Sequence, residues 1–294
     1  MQNPNPIAVA RQELQHVVDE GALLAVYTES GVEMMTMIRA FSFRDVIQLR
    51  YLHDGLRLVS HDTIEMQGNI YFKKNFFSEY QLGSPQVTFT VRTKHFCQAL
   101  KIFNGMSYSL QMVYMNEGDA LELSVECSNM NAKVTIPTVA NDELLDMDSQ
   151  DEMKLKVLFD PIWMSSLIQD LDQSADYVKM EFYRDDIKVS TNTEKRQIKN
   201  EIVSLKENRE DFLIESCPED GYQLNYKTTN LARMAKALVR AKKAFFSIND
   251  TGVLWVQATI EHSERLNTYV DFWFYSRTDE DDDLNLDYDQ INDL

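Results

Sequence analysis

Short runs of alternating apolar and polar residues are broken at four places by helical periodicity, and the breaks recur at a nearly constant interval. The helical stretches cover about 31–42, 91–104, 160–174 and 228–243. The first and third begin 129 residues apart, the second and fourth 137. Runs such as Leu23–Tyr27, Val87–Val91, Leu121–Val125, Val178–Tyr183 and Leu254–Ile260 alternate with period two, as half-buried antiparallel strands do. A repeat of this length predicts two copies of one plan, each a sheet carrying two helices on one face. The expected class is α+β. The expected divisions are a loose arm over 1–20, domains over 21–139 and 154–277, an acidic linker over 140–153 and an acidic tail over 278–294.

The net charge is −18 over 294 residues, which by itself disfavours a phosphate ligand. The acids are uneven, however. The tail 278–294 holds eight of them and no base, leaving −10 for the rest. In 228–243, read at 100° per residue, Leu231, Met234, Ala235, Leu238 and Phe245 gather on one side. Arg233, Lys236, Arg240 and Lys243 gather within about 80° on the other. No acid occurs in 227–243. A solvated face is the plain alternative, but surface helices usually mix signs to gain i,i+4 pairs. Four unmixed bases in an acidic protein point to an anionic ligand.

The other helices grade away from this pattern. In 91–104, Phe96, Ala99, Leu100 and Phe103 form the apolar stripe, with Lys94 and Lys101 opposite. In 31–42, Met34, Met37, Ile38 and Phe41 face Arg39 across the helix; a Met-rich stripe of this kind is core material. In 160–174, Met164, Leu167, Ile168 and Leu171 face inward. The outer side carries Ser166, Gln169 and Gln173, flanked by Asp170 and Asp172, with no base.

Reaction chemistry is hard to place. The five histidines and three cysteines have no metal-ligand spacing, and three scattered cysteines suit a reducing compartment. No P-loop, GxSxG, GxGxxG or HExxH occurs. Asp185–Asp186 reads as a turn between strands before it reads as a metal pair. No cofactor or metal is expected, nor a membrane span, because no apolar run approaches about 20 residues. The N-terminal residues lack the pattern of a secretory signal.

Six stretches in order resemble the sliding-clamp superfamily typified by proliferating cell nuclear antigen, and within it the Rad-one type of the nine-one-one checkpoint clamp. They are MMTMIRAFSFRD, then DGLRLVSHDTIEMQGNIYFKKNFFSEYQL with its Phe77-x-x-Tyr80 element, VRTKHFCQALKIFNG, NAKVTIPTV, KLKVLFDPIWMSSLIQDLDQSADYVKMEF and YVDFWFYSRTDEDDD. The likeness spans about 22–280. It implies a non-catalytic subunit of a nuclear heterotrimeric ring around duplex DNA, held without sequence specificity. Its implied partners are two paralogous clamp subunits, a clamp loader, and checkpoint and repair proteins.

Carried over by residue, the implied DNA-facing set is Arg39, Lys94, Lys101, Arg233, Lys236, Arg240 and Lys243. The implied subunit edges run over 133–139 and 197–205, with Lys133, Thr135, Ile136, Gln197, Lys199 and Glu201. The implied partner pocket takes in His61, Glu65, Leu144, Leu145, Met147 and Trp273, where Glu65 departs from an otherwise apolar lining. The alternatives are a 3′–5′ exonuclease and a homotrimeric processivity clamp.

Overall fold

The computed structural model describes residues 6–277 except 42–43, 63–64, 100, 104, 129, 141–151, 185, 193–198, 203–211, 220 and 264–265. The chain divides into two compact units. The first comprises Met1–Asp62, Gly68–Asp146 and Ile260–Val270; the second comprises Thr63–Gln67, Met147–Thr259 and Asp271–Leu294. Residues 260–270 thus group with the first unit and not with the half 154–277. Most of the expected linker and all of the tail lie outside the described residues.

The first unit begins with α1 (Pro6–Asp19), β1 (Leu24–Thr28), α2 (Gly31–Ala40), β2 (Val46–Leu52), β3 (Gly55–Asp62), β4 (Met66–Lys73), β5 (Glu79–Leu82) and β6 (Val87–Arg92). It continues through α3 (Thr93–Ala99), β7 (Ser109–Tyr114), β8 (Leu121–Cys127), β9 (Met130–Ile136) and β10 (Thr138–Val139). One sheet has the order β5-β1-β7-β8-β9; the strands β10-β6-β2-β3-β4 form a second set of neighbours. β8 alternates buried and wet positions along LELSVEC, as a sheet with one dry face requires.

The 1–20 region corrects the sequence expectation. It contains a 14-residue helix, not a loose arm. Leu14 is fully buried with Ala22, Ala25, Tyr27 and Val113, and Val17 and Val18 pack alongside. Positions 14, 17 and 18 share one helical face, and Pro6 suits a first turn that has no use for its N–H. Arg11 Nε donates to Glu79 Oε1 at 2.6 Å, tying the helix to β5. With α1 on one side, all five residues of β1 are buried.

The Phe77-x-x-Tyr80 element secures a hairpin. The Tyr80 hydroxyl reaches the carbonyls of Leu52 and Gly55, each at 2.7 Å, on the two sides of the β2–β3 turn. Gly55 has φ +148°, and a Cβ there would lie 2.1 Å from the Phe72 carbonyl oxygen, so no other residue fits.

The second unit contains β11 (Met153–Phe159), α4 (Pro161–Asp170), β12 (Tyr177–Tyr183), β13 (Asp186–Asn192), β14 (Lys199–Ile202), β15 (Phe212–Ser216) and β16 (Tyr222–Lys227). It ends with α5 (Thr228–Leu238), β17 (Lys243–Asn249), most of β18 (Leu254–Ser263) and the last residues of β19 (Leu266–Phe274); residues 260–270 of these two strands and their connection group with the first unit. Four strands run in the order β14-β13-β12-β16, and five as β19-β18-β17-β11-β15. The helix stripes read from sequence are the buried ones: Met164, Leu167, Ile168 and Leu171 on α4, and Leu231, Met234, Ala235 and Leu238 on α5. Buried Ser165 Oγ donates to the Ala235 carbonyl at 2.8 Å, joining the two helices. Tyr226 is buried as well, its hydroxyl 3.0 Å from the Gly252 carbonyl, and burial pushes its phenol well above the ordinary range.

α4 starts where sequence demands. Asp160 accepts from the Trp163 N–H at 2.8 Å, and Pro161 opens the first turn. Asp160→Ala should lower stability by about 1 kcal/mol. The urea midpoint measures it, with the dependence on urea unchanged if only the cap is lost.

Candidate nucleic-acid interface

Helix α5 is shorter than its periodicity suggests, and this rearranges the basic stripe. It ends at Leu238, and Ala241 N donates back to the Leu238 carbonyl at 2.9 Å. Arg233 and Lys236 lie on the helix. Arg240 lies in the turn after it, and Lys243 is the first residue of β17, opposite Thr259. The i, i+3, i+7, i+10 stripe is therefore not one helix face but a helix and the connection that leaves it. Lys236, Arg240 and Lys243 are exposed. Arg233 is half-buried and donates to Asn230 Oδ1 at 3.0 Å. Exposed Lys242 adds a charge that the helical reading missed; its signal was the pair Lys242-Lys243 just ahead of the alternating Ala244–Asn249. Phe245 belongs to that strand and is 37% exposed, so it takes no part in the apolar side of α5.

In the first unit, Arg39 is exposed in the last turn of α2, where a cation suits the helix dipole. Its charge bears on Tyr108, whose phenol burial and Glu33 push up to about 12 while Arg39 pulls it down. Lys94 is exposed in the first turn of α3. Lys101 is exposed in a separate 3-10 turn, Lys101–Phe103, so this pair also sits on two short pieces and not on one helix 91–104. Leu100 lies outside the described residues.

Helix α4 carries no base and ends on Asp170. Gln169 Nε2 donates to Ser165 Oγ at 3.0 Å. Gln173 Nε2 donates to the carbonyls of Ile168 and Leu171, at 2.9 and 3.1 Å, and so satisfies the helix's own C-terminus. Both amide nitrogens already donate to α4 or to the turn that ends it. Within the second unit the cations lie around α5 and its exit, with none on α4; within the first, α2 carries Arg39 and α3 carries Lys94.

The expected subunit edges each include a strand at the end of a sheet. Among the described residues, β9 pairs only with β8, and β14 only with β13. Lys133 and Thr135 are exposed on β9. Ile136 is 1% exposed, so its side chain belongs to the core and offers an edge nothing but backbone. Nor is 133–139 one strand: after Pro137, β10 pairs with β6 in the other sheet. Lys199 and Glu201 lie on β14, and Gln197 lies outside the described residues.

The expected partner pocket is only partly described. Leu144, Leu145 and Met147 lie outside the described residues, and His61 is placed on β3 by its backbone alone. Glu65 is not a bare acid in an apolar cleft, because its carboxylate accepts from Lys227 Nζ at 3.0 Å. Trp273 is 5% exposed and stacks on Trp255, ring centroids 4.8 Å apart. Asp186 opens β13 at the tip of the β12–β13 hairpin, as a turn reading requires; Asp185 is not described. Among the described residues, no three His, Cys, Asp or Glu side chains gather as a metal site would need.

Three comparisons bear on this arrangement. The family model described as "Repair protein Rad1/Rec1/Rad17" matches residues 23–260. The cell cycle checkpoint protein RAD1 homolog mrt-2 of Caenorhabditis elegans is 21% identical over 252 residues, 85% of this chain and 93% of that protein. The DNA repair protein Rad1 of Drosophila melanogaster is 22% identical over 246 residues, 80% of this chain and 87% of the relative. In fold, the chain is similar to the proliferating cellular nuclear antigen of Entamoeba histolytica, with a TM-score of 0.71 and 11% identity. That likeness covers 87% of this chain and all of that one.

Proposed function

Because this chain belongs to the Rad1/Rec1/Rad17 family of repair proteins, we propose that it is a non-catalytic subunit of a heterotrimeric ring. The ring encircles duplex DNA at damage in the nucleus and serves as a platform for checkpoint and repair proteins. Two paralogous clamp subunits complete it and a dedicated loader opens it. The checkpoint and repair roles draw support from the names of the worm and fly relatives.

The observation that carries the ring is the clamp fold with an open strand in each unit, β9 in one and β14 in the other. An unpaired edge is a template for a neighbour's backbone. When the edge of one subunit meets a different edge of the next, the contact is head-to-tail, and it closes into a ring if the rotation allows. A ring holds DNA by topology, so its lining needs only sparse phosphate contacts that carry no sequence information. The cations around α5 and its exit suit that duty, and the acidic remainder repels DNA from the wrong surface.

The test is retention. Assembled with its partners and loaded on closed circular DNA, the complex should stay bound through a high-salt wash and leave when the circle is cut once. Retention that survives cutting in high salt would overturn the topological reading. Mass measurement of the same complex decides its composition: a stable homotrimer of this chain alone would favour the processivity clamp.

A further inference from the structure

A cavity of about 400 Å³ opens on the first unit, lined by the β2–β3 turn, the end of β4 and Tyr269. Strand β2 sends Leu49 and Tyr51 into the core, so Arg50 between them points to the opposite face of the sheet. Arg57, which lines the cavity, stands directly opposite Arg50 on β3. Side chains paired in this way share a face with Cβ atoms about 5 Å apart, and like charges so placed repel. Two guanidinium groups therefore meet at the cavity's edge. Exposed Lys73 adds a third cation, and Asp54 is the one acid in the lining.

The cations are set against aromatic rings. The Arg57 guanidinium stands 5.4 Å from the centroid of the Tyr71 ring. Lys73 Nζ stands 4.4 Å from the centroid of Tyr269 and donates to its hydroxyl at 3.2 Å. A ring holds a cation in place without neutralising it. Stacking on a ring uses the flat face of a guanidinium, whereas the N–H fork that grips an oxyanion lies along its edge. A phosphate monoester carries a charge of about −1.5 to −2 and three acceptor oxygens, so it answers such a cluster better than a single carboxylate does. The concave shape, with room for one or two side chains, suits a peptide and not the convex backbone of a duplex.

We propose that the Arg50–Arg57–Lys73 cavity docks a phosphorylated segment of a partner protein, with the phosphate among the three cations and a neighbouring apolar or aromatic side chain against Tyr71 and Tyr269. Phosphorylation of the partner is then the switch, because without it the two arginines face each other with no dianion between them. The site is complete within the first unit and does not depend on ring closure.

The test uses the full-length chain and beads carrying a nonapeptide library with phosphoserine fixed at the centre and mixed residues around it. Twin libraries hold serine or aspartate at that position. The phosphoserine beads should retain the native chain about tenfold better than either twin. Arg57→Gln/Lys73→Glu should erase the preference. If Arg57→Gln lowers the melting temperature, Lys73→Glu alone carries this arm, because Lys73 is exposed. The variant Lys236→Glu/Arg240→Glu/Lys243→Glu should keep the preference. Free phenyl phosphate should release the chain at roughly a tenth of the concentration needed of inorganic phosphate, since only the ester brings a ring. Equal retention on the three libraries, or a preference that survives Lys73→Glu, overturns the site. A preference lost with the Lys236 variant instead puts the anion beside α5 and overturns it too. Equal potency of the two free phosphates overturns the part given to the rings. If short duplex DNA releases the Lys236 variant at lower concentration than phenyl phosphate does, the cavity serves nucleic acid and the phosphopeptide reading falls.

Discussion

Reversing three charges, Lys236→Glu, Arg240→Glu and Lys243→Glu, should lower the affinity of the assembled ring for duplex DNA by roughly ten- to a hundredfold near 0.1 M salt. These are the exposed members of the basic group. Each phosphate contact contributes about 0.9 to the slope of log affinity against log salt, so losing two or three should flatten the slope by about 2–3. Anisotropy over a salt series measures both quantities. Arg233 is left out because its guanidinium is half-buried and already engages Asn230. The companion variant Gln169→Ala/Gln173→Ala removes amides that serve α4 itself, so it should alter DNA affinity little. If the two variants weaken binding equally, the DNA lies against a different face.

A second large effect is expected at the open edge of β9. In an antiparallel strand, successive N–H groups point alternately toward one neighbour and the other. Of Val134→Pro and Thr135→Pro, one therefore deletes a bond to β8 and the other an N–H turned away from it. The first should destabilise the chain by about 1–3 kcal/mol, the range for a buried backbone group left unpaired. The second should leave the melting temperature nearly unchanged, since proline is tolerated at an outward edge, and should abolish assembly with the partner subunits. Co-purification and thermal melting of the two variants distinguish them. If both still assemble, β9 is not the edge that the neighbouring subunit uses.

The fold was legible wherever a segment had one dry face. LELSVEC in β8 and YVKMEFY in β12 alternate as written, and the stripes of α4 and α5 are the buried ones. What misled was continuing a period past its end. The angular reading carried 3.6 residues per turn through Arg240 to Lys243, but the chain leaves the helix at Leu238. The change to period two was visible in the sequence: Ala244, Phe246 and Ile248 point inward, with Phe245 between them 37% exposed. Helix α1 was missed for the opposite reason. Among the described side chains its core-facing residues are Leu14, Val17 and Val18, and the polar residues and prolines around them obscured the period. The candidate site was legible in composition, as bases without acids, but not in shape, because shape depends on where the helix stops. The cation–aromatic cavity was not legible, since Arg57, Tyr71 and Tyr269 come from separate strands and meet only in the folded unit.

The helix α1 covering β1 also has a consequence for how the chain finds its structure. A strand with one wet face carries its register in its own alternation, because a slip of one residue would drive polar groups inward. LAVYT has no such safeguard; it is buried on both sides and reads almost equally well one step out of phase. Two features outside the alternation fix the phase. Thr28 Oγ1 donates to the Phe76 carbonyl at 2.9 Å, and Leu14 fills the space among Ala25, Tyr27 and Val113. The first helix is thus a pairing guide for the first strand, and a chain without it would face competing registers between β5 and β7 in its first sheet.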